Sequence, residues 1–110
     1  MGTYTRKTGA TVDIVNNSTA TVFTISTTQA KAFSFNYTIV RGTAYQTGSI
    51  MVSTNGGTTD LNWSQDFVEN EATGVTFAIS QTGSTVSVQV TANSTLGIPA
   101  SIKYSVTYLA

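Results

Sequence analysis

Lys31-Ala32-Phe33-Ser34-Phe35-Asn36-Tyr37-Thr38-Ile39-Val40-Arg41 is the stretch that decides the fold class. Phe33, Phe35, Tyr37 and Ile39 alternate with Ser34, Asn36 and Thr38, so a strand gathers the four large apolar side chains on one face. A helix would scatter them around its circumference. The same period of two returns on either side: Phe23 and Ile25; Val75, Phe77 and Ile79; Val86, Val88 and Val90; and Ile102, Tyr104, Val106 and Tyr108. Weaker alternation marks residues 11–15, 49–53 and 61–67, and the abundant threonine suits a pleated surface. Turn chemistry separates these runs: Asn16-Asn17-Ser18, Asn55-Gly56-Gly57, Gln81-Thr82-Gly83-Ser84 and the proline-bearing Leu96-Gly97-Ile98-Pro99, with Arg41-Gly42 and Thr47-Gly48 bracketing a further expected loop. About eight short strands without a helical period indicate an all-β, antiparallel β-sandwich or jelly roll. We expect one domain over residues 11–110, preceded by an N-terminal arm over 1–10 that carries Arg6 and Lys7 and could order on a partner.

Composition narrows what such a sandwich does. Only 9% of the 110 residues are charged, and five basic side chains balance five acidic ones. Nucleic-acid binders need a basic footprint to neutralise phosphates, so no nucleic-acid partner is expected. No apolar run reaches the roughly 20 residues of a membrane-spanning helix, and residues 1–7 lack a secretory apolar core, so no membrane partner is expected either. So little net charge gives weak colloidal repulsion, which suits a subunit held in an assembly.

Cysteine and histidine are absent, which removes the preferred ligands and bases of zinc, haem and triad chemistry. No cofactor and no metal site is expected, and the chain does not read as an enzyme. Four of the five acids, Asp60, Asp66, Glu69 and Glu71, fall within residues 60–71. Without the spacing of a calcium-binding loop, they read as a solvated acidic loop available for polar or cation contacts. The enzymatic alternative would pair Asp66 with Glu69 or Glu71, as glycoside hydrolysis requires. Tyr45 and Trp63 are the aromatics least tied to a core face. Their rings suit stacking on sugars or on a partner protein. Trp63 could equally plug one end of the sandwich, which the usual burial of large aromatics favours. Arg41, ending an apolar strand just before Gly42, is a candidate for pairing with the acidic loop or for contact with a neighbouring subunit, where arginine is enriched.

The run Phe35-Asn36-Tyr37-Thr38-Ile39-Val40-Arg41-Gly42-Thr43-Ala44-Tyr45-Gln46-Thr47-Gly48-Ser49-Ile50 resembles a pattern of bacteriophage virion proteins, in which an aromatic strand leads into an Arg-Gly turn and a Thr-Gly strand. Gly74-Val75-Thr76-Phe77 and the closing Ser101-Ile102-Lys103-Tyr104-Ser105-Val106 extend the resemblance over about residues 32–110. It implies a structural role on the outer surface of a phage particle, often as a homotrimer, and carries no catalytic residue across. Such modules end tail fibres and related surface proteins, and similar sandwiches decorate capsids. We expect no virion-anchoring domain or shaft before the β module, which departs from the fibre arrangement. A complete chain of this length is therefore expected to be a capsid decoration or cement protein, bound to the major capsid protein. An excised one is expected to be a tail-fibre or tailspike terminal domain that binds a host receptor or surface glycan.

Overall fold

The computed structural model describes residues 4–8, 11–57 and 59–109, with backbone alone at 4–8 and 109. Among the described residues, nine strands follow one another: β1 (Tyr4–Thr8), β2 (Val12–Ile14), β3 (Ser18–Ser26), β4 (Ala32–Arg41), β5 (Ala44–Ser53), β6 (Asn62–Glu69), β7 (Val75–Thr82), β8 (Thr85–Ala92) and β9 (Ala100–Leu109). All pairings are antiparallel. The large sheet runs β1–β9–β4–β5–β6, with β2 also on β9, and the small sheet runs β3–β8–β7. The result is the expected antiparallel β-sandwich. β1 and β2 lie end to end against β9, and the register between them steps by one residue, from Thr8↔Ser105 to Val12↔Ile102. Within the segment read as an arm, residues 4–8 are thus laid down as an edge strand; residues 1–3, 9 and 10 lie outside the described residues.

The core is the meeting of the alternating faces. Phe33, Phe35, Tyr37 and Ile39 of β4 face inward together with Ile102, Val106 and Tyr108 of β9, and meet Phe23, Phe77, Val86, Val88 and Val90 of the small sheet. Phe35 stacks on Tyr104 at 4.8 Å between ring centroids, and Tyr37 leans on Phe77 at 4.5 Å. Such aromatic pairs add about 0.5–1.5 kcal/mol each beyond the area they bury.

Two expected loops are corrected. Residues 41–48 were expected to hold a loop, yet Arg41 pairs with Ala44, leaving only Gly42 and Thr43 as a turn, and β5 starts at once. Gly42 has φ +64° at the first of the two loop positions, where a type II′ hairpin needs a positive φ. The acidic stretch 60–71 is strand from Asn62 to Glu69, so most of it is β6 rather than loop. Four connections pass from one sheet to the other: β2 to β3, β3 to β4, β6 to β7 and β8 to β9.

Candidate interaction face

Register assigns every candidate side chain to a face. On β5, Ala44, Gln46, Ile50 and Val52 point into the sandwich, so Tyr45, Thr47, Ser49 and Met51 point out. Pairing carries the same division onto β6. Trp63, Gln65, Phe67 and Glu69 stand opposite the inward set, and Ser64, Asp66 and Val68 opposite the outward one. Tyr45 and Trp63 therefore project from opposite faces of the large sheet, and the sheet itself keeps them from stacking on one ligand. Asp66 and Glu69 are divided in the same way, so the strand does not bring that carboxylate pair together.

On the outer face, short polar side chains fall into a row across four strands, Ser105–Asn36–Ser49–Asp66. Ser49 donates to Asn36 Oδ1 at 2.6 Å, and Thr38 and Thr47 bond each other at 3.3 Å beside it. Because these side chains are short and their neighbours long, the face sinks into a shallow trough of about 430 Å³ that reaches Lys103. It continues into a second trough of about 510 Å³ over Thr38 and Thr47, walled by Tyr45 and Val68. Tyr45 is 51% exposed and Val68 70%, with Met51 on the same face. An apolar rim around a polar floor is the composition of a contact surface rather than of a plain solvated sheet.

The inner side of β6 is unusual in another way. The small sheet is only three strands wide, and it leaves Trp63 40% and Phe67 45% exposed although both point to its side. Trp63 does not plug the sandwich. A polar network ties this overhanging strand down. Gln65 Nε2 donates to the Tyr37 hydroxyl at 2.6 Å, that hydroxyl donates to Gln46 Oε1 at 2.7 Å, and Gln46 Nε2 donates to Glu69 Oε1 at 2.7 Å. Burial pushes the Tyr37 phenol above its ordinary value; the Gln65 bond opposes this, and the Glu69 charge adds to it. The network depends on Gly48. A Cβ there would lie 2.8 Å from the Tyr37 hydroxyl and 2.6 Å from the Asp66 carbonyl, so only glycine lets the tyrosine cross β5 to reach β6.

Arg41 is found inside the molecule. It is 1% exposed, and it closes the end of the sandwich where three of the four inter-sheet connections gather. Its Nε donates to the Ile98 carbonyl at 2.9 Å and its Nη1 to the Thr73 carbonyl at 2.9 Å. Nη2 donates to Asn16 Oδ1 at 2.9 Å and to the Asn93 carbonyl at 2.6 Å, and Nη1 also reaches Asn93 Oδ1 at 3.4 Å. These acceptors are carbonyl and side-chain amide oxygens rather than acidic-loop carboxylates. The guanidinium fork serves the fold and offers nothing to a neighbouring subunit. The acids are placed elsewhere: Glu69 on Gln46, Glu71 accepting from Thr43 Oγ1 at 2.6 Å, Asp66 on the outer face, and Asp60 exposed in the loop before β6. Among the described residues, no three of Asp, Glu, His and Cys come together as metal ligands. The trough and the Tyr37 network escape sequence reading because they need the register. Of the candidate residues, Tyr45 walls the second trough, which Glu69 also lines, and Asp66 ends the polar row.

No protein-family model matches the chain, and no curated protein matches it. Among solved structures, it is similar to part of the tailspike protein of Acinetobacter phage vB_ApiP_P1, with 17% identity and a TM-score of 0.40 over 97% of this chain. The aligned region is 22% of that protein, so this chain spans about a fifth of its length.

Proposed function

We propose that the chain is a structural module on the outer surface of a bacteriophage particle, working through contacts of its large-sheet outer face and performing no chemistry. The observation that carries this is the exposed apolar side chains of Tyr45, Met51 and Val68 on a face otherwise floored by short polar side chains. A tyrosine held out on a rigid strand is a typical anchor for a protein partner. The virion-like pattern of the β4–β5 hairpin suits another virion protein as that partner; with the major capsid protein in that place, the module is a decoration or cement protein. A second reading, the terminal domain of a tail fibre or tailspike, is favoured by the polar trough beside Tyr45, since a ring next to hydroxyl and amide groups also suits a glycan.

Co-sedimentation with empty heads of the encoding phage tests the first reading. Wild-type protein should pellet with the heads, and Tyr45→Ser with Val68→Ser should weaken binding by about thirtyfold or more while the thermal transition stays in place. If heads are ignored but host-surface glycan is bound, and the same double substitution abolishes that binding, the second reading takes over. Binding to neither sinks both.

A further inference from the structure

The two edges of the large sheet differ in a way that points to a second copy of the chain. On the far edge, the register step between β1 and β2 interrupts the ladder, and β1 carries Arg6 and Lys7. Interruptions and cations are the usual devices that keep sheet edges from pairing with other chains. β6 has neither. Its register with β5 runs unbroken from Gln46↔Glu69 to Ser53↔Asn62, it contains no proline, lysine or arginine, and among the described residues it pairs with β5 alone. In the small sheet, β3 has a register shift between Thr21 and Phe23, while the outward residues of the straight edge β7, Thr76, Ala78 and Ser80, offer little apolar surface to bury. Among the described residues, β6 combines a straight edge with the exposed apolar side chains of Trp63, Phe67 and Val68.

We propose that two copies of this chain join β6 to β6, antiparallel about a two-fold axis, so that their large sheets become one. Such an axis stands normal to the sheet and keeps each face on its own side, so residues paired across it share a face and their numbers have the same parity. For the eight residues of β6, just two registers of this kind pair as many as seven residues, one centred on Gln65 and one on Asp66. Centring on Asp66 sets two like carboxylates directly opposite and puts Trp63 against the partner's Glu69, both unfavourable. Centring on Gln65 puts Trp63 against the partner's Phe67 and Asp66 against the partner's Ser64, each occurring twice. The strand is thus self-complementary in one register. The four aromatic rings fall on the side where each small sheet stops short of β6, so they cover one another. A two-fold joint closes on two copies; a trimer would need a different surface.

Ser64 gives the test, because it is exposed and the proposed register places it opposite the partner's Asp66. Light scattering behind size-exclusion chromatography should give about twice the 11.6 kDa chain mass for the wild type. Ser64→Asp places two like-charge pairs in the joint and should weaken dimerisation about tenfold. Ser64→Lys should strengthen it by a similar factor, and Ser64→Asp with Asp66→Lys should restore it. Circular dichroism checks that each variant keeps its fold. A wild type that stays monomeric to its solubility limit overturns the proposal, as does an assembly indifferent to the sign of the charge at residue 64. These masses are read without capsid or glycan, so the joint stands or falls separately from the particle-surface reading.

Discussion

Two buried polar centres organise this sandwich, and they hold different things together. Arg41 sits at one end and bonds oxygens from the β2–β3, β6–β7 and β8–β9 connections, so it fastens one sheet to the other. The Tyr37–Gln46 network lies within the large sheet and fastens the overhanging β6 to β4 and β5. The centres meet at buried Thr73, whose carbonyl accepts from Arg41 and whose hydroxyl accepts from Gln46 Nε2 at 3.3 Å. The first centre serves the integrity of the fold. The second holds β6 in place where it reaches beyond the small sheet.

Removing Arg41 should therefore have the largest effect, and a global one. Arg41→Met keeps much of the buried volume but strands the carbonyls of Thr73, Asn93 and Ile98. Unsatisfied buried groups cost about 1–3 kcal/mol each, partly relieved by water, so a loss of about 3–4 kcal/mol is expected. For a domain of this size that lowers Tm by roughly 15 °C or more. A loss below about 1 kcal/mol in a urea titration would show that the three connections hold without the guanidinium.

Gly48→Ala should come next and should stay local. The added methyl group meets backbone on one side and the Tyr37 hydroxyl on the other, so neither can simply swing away. Overpacking of this kind costs about 1–3 kcal/mol, and the lost reach of Tyr37 puts the expected value near the top of that range. Amide hydrogen exchange separates this from the Arg41 case: β6 should lose protection while the β3–β8 ladder keeps it. Equal loss in both would mean that the two centres form one cooperative unit.

The same contrast explains what could be read in the sequence. β4, β8 and β9 are legible because their inward positions are filled by aromatic and β-branched residues facing a covering sheet. The first half of β5 is not, because its inward positions carry Gln46 and Gly48, which break the apolar alternation in order to accommodate the Tyr37 hydroxyl. β6 is blurred for the opposite reason: with little of the small sheet above it, its inner positions mix Trp63 and Phe67 with Gln65 and Glu69. Arg41 looked like a surface residue because its acceptors, main-chain oxygens and the amides of Asn16 and Asn93, leave no charge pattern in the sequence. A carboxylate partner would have been easier to see, but it would have had to be buried as well. The trough is a property of register, since Asn36, Ser49, Asp66 and Ser105 become neighbours only when four strands are aligned.

The smallest effect expected is also the one that isolates the second centre. Tyr37→Phe keeps the ring against Phe77 and removes the hydroxyl that joins Gln65 to Gln46, at a cost of about 1 kcal/mol near neutral pH. The pH dependence gives this substitution its signature. Burial raises the Tyr37 phenol above 10.0 in the folded chain, so the folded state holds its proton more tightly than the unfolded one. That contribution is complete well below pH 10 and is lost as pH rises through the folded value, because the unfolded phenol ionises first. Wild-type stability should therefore fall more steeply than that of Tyr37→Phe as pH rises above about 10, and the gap between the two urea midpoints should narrow. Parallel curves would mean that the hydroxyl exchanges with water on the open side of β6, and the strand would then be held by its ladder with β5 and not by the polar network.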